Sequence, residues 1–137
     1  GVDSAMNTSG AQTGALDPLN DMFWTWNSGY VMQKLEGNSS QSKIVNNKIE
    51  YHIGGFSGPN SVLNYRVFSF PKDRRLTIQK GKISTLIINV DISGFWNAAT
   101  GIKISETPVC SQPGILAKQI AANFSSLFSI IDVINAK

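Results

Sequence analysis

Apolar and polar residues alternate with a period of two along much of this chain, the pattern of strands with one buried face. The clearest run is ISTLIINVDI at 83–92, which sets Leu86, Ile88, Val90 and Ile92 on one side. NKIEYHI at 47–53 places Ile49, Tyr51 and Ile53 on one face and Lys48, Glu50 and His52 on the other. MFWTWNSGYVMQKLE at 22–36 is the richest stretch in large side chains. Read as one strand, it carries Met22, Trp24, Trp26, Tyr30 and Met32 on one face, and Phe23, Thr25, Asn27, Val31, Gln33 and Leu35 on the other. Gly29 interrupts it and predicts a bulge or a close backbone approach. SVLNYRVFSF at 61–70 predicts a further strand, Leu76–Gln79 a short one, and Ile102–Ser105 an edge strand.

Turn signals separate these runs: the polar loop from Gly37 to Asn47, GGFSGPN at 54–60, Lys80-Gly81 and Ser93-Gly94. Phe95-Trp96 is expected to plug one end of the core. One helix is predicted over 114–128, where Leu116, Ile120, Phe124 and Leu127 recur at helical spacing. The tail from Ser129 to Ile134 returns as a last strand. The expected architecture is mainly β: an antiparallel β-sandwich, Greek-key-like, with one short C-terminal helix. Residues 1–21 show no periodicity and read as a loop-rich lead-in to a single domain spanning 1–137. An opening of that length without strands predicts either a loop packed over the tryptophan face or strands that precede Gly1 in a longer precursor.

At 137 residues the chain is long enough to bury a core, and its hydrophobic fraction of 42% is ordinary for a globular protein. No apolar run approaches the ~20 residues of a membrane span. Charged residues are 15% and the net charge is +3, less basic clustering than nucleic-acid domains carry. Lys72, Arg74, Arg75, Lys80 and Lys82 read as a solvated turn region. A single cysteine, Cys110, excludes an internal disulfide and a cysteine-based zinc site, and its proline neighbours predict a loop position. The single histidine, His52, excludes a multi-histidine metal site and leaves a Ser-His-Asp triad without support. Asp3, Asp17 and Asp21 carry oxygen ligands, but their spacing is not that of an EF-hand loop and reads as turn formation.

The tryptophan stretch admits two readings from its residues alone. It is either the heart of a sheet core or a functional surface, because Asn27 and Ser28 keep part of it polar. His52 lies on the polar face of its strand, where a histidine is ordinarily solvated or hydrogen-bonded. To act as a ligand it needs partners from another strand, and the tryptophan stretch is the nearest in sequence.

GVDSAMNTSGAQTGALDPLNDMFWTWNSGYVMQKLEG, EYHIGG and IAANFSSLF together resemble the MbnP-like family, most strongly over residues 1–37. That family comprises periplasmic or surface-exposed β-sandwich proteins associated with copper acquisition, many of them small lipoproteins of Bacteroidota-type bacteria. The resemblance implies Cu(I) held by histidines and by a tryptophan oxidised to kynurenine. It also implies a partner, a di-haem protein related to cytochrome c peroxidases, that performs the oxidation. Matched position by position, Trp24 or Trp26 in WTWNSGY is the residue to be oxidised, and His52 in YHIG is the imidazole ligand. The chain departs from the family in lacking a second histidine. Met22 or Met32 offers a thioether in its place, which Cu(I) accepts.

Three readings follow. The first is an exported, non-enzymatic MbnP-like accessory protein with His52 and Met22 as metal ligands and Trp24 or Trp26 modified. The second is a structural or interaction domain with the tryptophans in its core. The third is an extracellular ligand-binding sandwich using Trp24, Trp26 and Tyr30 as a stacking platform. No nucleophile–base pair or carboxylate pair at useful spacing supports an enzyme.

Overall fold

A computed structural model describes residues 4–8, 12–25 and 28–136. The stretch expected as one tryptophan strand is a hairpin instead. β1 (Phe23–Thr25) pairs antiparallel with β2 (Gly29–Asn38), with Phe23 opposite Tyr30 and Thr25 opposite Gly29. The chain reverses because Asn-Ser-Gly is a turn sequence and Gly29 adopts φ +73°, the left-handed region that glycine enters without strain. A Cβ at Gly29 would lie 2.2 Å from Asn7 Oδ1, so the expected close backbone approach is real. The single-face assignment fails accordingly: Trp24 and Tyr30 belong to different strands.

β2 continues into an antiparallel ladder with β3 (Lys48–Gly54), running from Val31 opposite Gly54 to Asn38 opposite Lys48. The register shifts between Val31 and Gln33, making Met32 an extra residue in β2. Beyond that bulge, Leu35 stands opposite Tyr51, and Lys34 and Glu36 stand opposite His52 and Glu50. The alternation read from NKIEYHI is reproduced, since Ile49, Tyr51 and Ile53 are buried and Lys48, Glu50 and His52 turn outward.

β4 (Thr85–Val90) pairs antiparallel with the last strand, β6 (Phe128–Ile134), and forms a separate two-stranded sheet. Between them in sequence lie β5 (Val109–Cys110) and the principal helix, here α2 (Ile115–Ser125); a five-residue α1 (Ser4–Thr8) precedes β1. The first sheet has the order β1-β2-β3-β5, and β5 joins it parallel, with Tyr51 opposite Cys110. The two sheets face each other across an apolar cleft of about 360 Å³, lined by Met32 and Ile53 from one and by Leu86, Ile88, Phe128 and Ile130 from the other. The mainly β fold with one principal helix therefore stands, as a sandwich whose sheets are antiparallel except for β3–β5.

The core gathers the inner face of β3, the α2 face carrying Ala117, Ile120 and Ala121, and Phe95, Ile102, Cys110 and Leu127. Phe95 plugs the core as expected, with edge-on contacts to Tyr51 at 5.4 Å and Trp96 at 4.9 Å between ring centroids. Cys110 is not a loop bystander. It is buried in β5, and burial pushes its thiol above the usual range. Residues 61–70 follow no ladder, nor do 76–79 or 102–105, contrary to the strands expected there. A strand needs a paired neighbour to complete its backbone hydrogen bonds, and among the described residues none forms a ladder with these segments; Arg75 and Thr77 are tied instead by side chains, to Asn135 and Ser84. Their composition favours β structure; tertiary placement overrides it.

The lead-in is tied to the start of β2. The Tyr30 amide donates to Asn7 Oδ1 at 2.9 Å, and the Tyr30 hydroxyl donates to the Leu16 carbonyl at 2.6 Å. Asp17 serves a turn, as expected, with Oδ1 accepting from the Leu19 amide at 2.9 Å. Asp3 lies outside the described residues.

Candidate functional site

The outward face of the β2–β3 hairpin carries Lys34, Glu36, Lys48, Glu50 and His52. Cross-strand pairing puts Glu36 directly opposite Glu50 and Lys34 directly opposite His52. Like charges directly opposed in a sheet repel, so the lysines matter. Lys34 Nζ lies 3.8 Å from Glu36, and Lys48 Nζ is in close contact with Glu50. His52 sits between the carboxylates: Nε2 is 2.7 Å from Glu36 Oε1, and Nδ1 is 3.9 Å from Glu50 Oε1. Side-chain exposure is 17% for His52 and 20% for Glu50, against 47% for Glu36, so the cluster is rooted in the sheet and open on one side. One ligand atom each from Glu36, Glu50 and His52 lies within 4.8 Å of the others. That grouping can hold a metal ion.

The Lys48 ammonium, hydrogen-bonded to Glu50, holds that carboxyl below the usual carboxylate range, and Glu50 in turn raises Lys48. A depressed folded-state pKa stabilises the fold above the ordinary carboxylate range and is lost as pH falls through the lowered value. Wild type should therefore exceed Lys48→Met in urea midpoint at about pH 6 and lose that advantage by about pH 3. An advantage that persisted in acid would contradict the pairing.

Trp24 closes one end of this face. A Cβ built on Gly54 would meet Trp24 Cζ3 at 2.7 Å and Cη2 at 3.2 Å, so the indole lies directly over Gly54. Gly54 and His52 are alternate residues of β3 and share its outward face, roughly 7 Å apart along the strand. Trp24 therefore covers the same outward face of β3 that carries His52, two residues along the strand from Gly54. Only glycine leaves space for the ring: Gly54→Ala should displace Trp24 and cost about 1–3 kcal/mol, read from urea unfolding. An unchanged midpoint would mean that the ring does not need the space.

The other sequence candidates fare differently. Trp26 lies outside the described residues. Met22 precedes β1, two residues before Trp24, and its carbonyl accepts from the Val31 amide at 2.9 Å. Met32 is drawn the other way. It lines the inter-sheet cleft with Ile53 and packs on the core, away from His52, because the bulge turns it inward. Tyr30 is 2% exposed and stacks on Phe23 at 4.8 Å, which removes it from any open platform with Trp24. The carboxylates Glu36 and Glu50 were overlooked in the sequence. Their signal was the E-x-H spacing at 50–52, which puts two ligands on one strand face.

The site thus defines a β-sheet protein bearing an indole, an imidazole and two carboxylates on three successive strands of one sheet. The sequence model of the MbnP family, described as MbnP, matches residues 1–112, and the chain belongs to that family. No curated protein and no solved structure matches it.

Proposed function

We propose that this chain is an exported, non-enzymatic accessory protein of copper handling, located in the periplasm or at the cell surface. In this reading Trp24 is oxidised to kynurenine by a di-haem partner related to cytochrome c peroxidases, and His52 supplies an imidazole ligand. The observation that carries it is the seating of Trp24 over Gly54, on the same outward face of β3 as His52 and two residues from it along the strand. Oxidative opening of the pyrrole ring leaves an aryl amine and a ketone, so a modified Trp24 would present new donor atoms next to the imidazole. Met22 is the thioether closest in sequence to that ring. Copper, when bound, would supply the affinity that links these groups. The chain's own contribution is the rigid β2–β3 ladder, which fixes the spacing of the ligands before any metal arrives.

The test is intact and peptide mass spectrometry on protein purified from its native host, with copper measured in the same sample. Conversion of Trp24 to kynurenine together with bound copper is expected. Unmodified tryptophans and no copper would overturn the reading. A second reading has one observation in its favour: His52 already has a partner in Glu36 at 2.7 Å and needs no metal to be satisfied. On that reading the hairpin is a structural surface, and the same spectrum shows ordinary tryptophan.

A further inference from the structure

We infer that Glu36, Glu50 and His52 form a site for a divalent first-row cation, Zn(II) or Cu(II), and that the site disfavours Cu(I). This rests on the reading of the Trp24–His52 face as metal-binding, and it concerns which ion and which ligands. Three observations carry it. The three ligand atoms already lie within 4.8 Å of one another, so side-chain rotation alone brings them to the ~2.0–2.2 Å bonds of a zinc site. The carboxylates stand directly opposite each other across the ladder, an arrangement that costs stability unless a cation lies between or beside them. The donors are one imidazole nitrogen and two carboxylate oxygens, from a chain with a single histidine. Carboxylate oxygen is a hard ligand that suits divalent ions, whereas Cu(I) selects thiolate, thioether and imidazole.

Two lysines compete with a cation for this site: Lys48 is in contact with Glu50, and Lys34 lies beside Glu36. A divalent ion would displace both ammonium groups from the carboxylates. Three protein ligands leave a coordination position on the open side, filled by water or by a donor from Trp24 once that ring has been opened. The carboxylates thereby take the place of the absent second histidine.

The experiment uses the unmodified 137-residue chain, so its outcome is independent of whether tryptophan is oxidised in the host. Zn(II) and Cu(II) are titrated calorimetrically, and Cu(I) is titrated by competition with a colorimetric chelator under reductant. Wild type should bind one Zn(II) or Cu(II). Glu36→Gln and Glu50→Gln should each weaken that binding by about tenfold or more, and His52→Ala should abolish it. Glu106→Gln, which removes a surface partner of Lys103 away from the hairpin, should leave it unchanged. As a readout without variants, paramagnetic Cu(II) should broaden amide resonances of residues 34–36 and 50–52 first. No divalent binding, binding indifferent to both Glu→Gln changes, or Cu(I) held more tightly than Cu(II) would each overturn the inference. The last of these would leave the copper-handling reading standing.

Discussion

Asn123→Leu should destabilise the protein by more than about 4 kcal/mol, the largest effect expected of any single change outside the hydrophobic core. Asn123 is fully buried on α2 and hydrogen-bonded on both sides of its amide. Its Oδ1 accepts from the Ala99 and Thr100 amides, each at 2.7 Å. Its Nδ2 donates to the Phe95 carbonyl at 2.9 Å and to the Thr100 carbonyl at 2.8 Å. One side chain therefore satisfies four backbone groups of the segment that carries Phe95 into the core. Leucine matches the volume and strands all four, and unpaired buried backbone groups cost about 1–3 kcal/mol each, with incomplete additivity. A thermal melt followed by circular dichroism should show a midpoint lower by more than about 10 °C. A loss within about 1 kcal/mol would mean that water replaces the side chain and that the network is not a brace.

That asparagine marks where the sequence stops being readable. Leu116, Ile120, Phe124 and Leu127 announced the helix through their spacing, and Asn123, three residues after Ile120 and four before Leu127, falls on the same face with no polar partner visible nearby in the sequence. The 95–100 segment, distant in sequence, supplies those partners. The same asymmetry runs through the fold. β3 was legible because it buries alternate residues, which leaves a period-2 signature. β4 carries the same pattern and forms a strand, yet Leu86, Ile88 and Val90 stay exposed, so its alternation marked the strand without marking a buried face. Residues 61–70 are β-rich as well and form no ladder, since composition reports a preference for strand and not the presence of a neighbour. β5 was invisible: two residues are too short for any period, and its parallel partner lies more than fifty positions away in β3. At the site, the sequence assigned Trp24 and His52 but placed Tyr30 and Met32 beside the tryptophan. One turn glycine and one bulge residue undo that grouping, each shifting faces by a single position.

If Trp24 is the oxidised ring, as proposed, Trp24→Phe should abolish kynurenine in protein purified from the native host and lower bound copper by about tenfold or more. Phenylalanine fills much of the space over Gly54, so the hairpin should survive while the oxidisable ring is lost. Residues 1–34 contain no Lys or Arg before Lys34, so a tryptic peptide holds both Trp24 and Trp26, and fragment ions must locate the change. Loss of the shift with copper retained would make modification and metal binding separate properties of the hairpin. A shift that stays and maps to Trp26 would show that the seat over Gly54 does not select the oxidised ring.

Every group assigned to the site lies between Trp24 and Gly54, within two successive hairpins. Contacts of short sequence separation close at low entropic cost and form early in folding, whereas β3–β5 and β4–β6 must wait for long loops to close. This topology predicts that the site forms before the core behind it is complete. A hairpin nucleus of this kind predicts φ-values nearer one for changes in the β2–β3 ladder than for changes in β4 or β6.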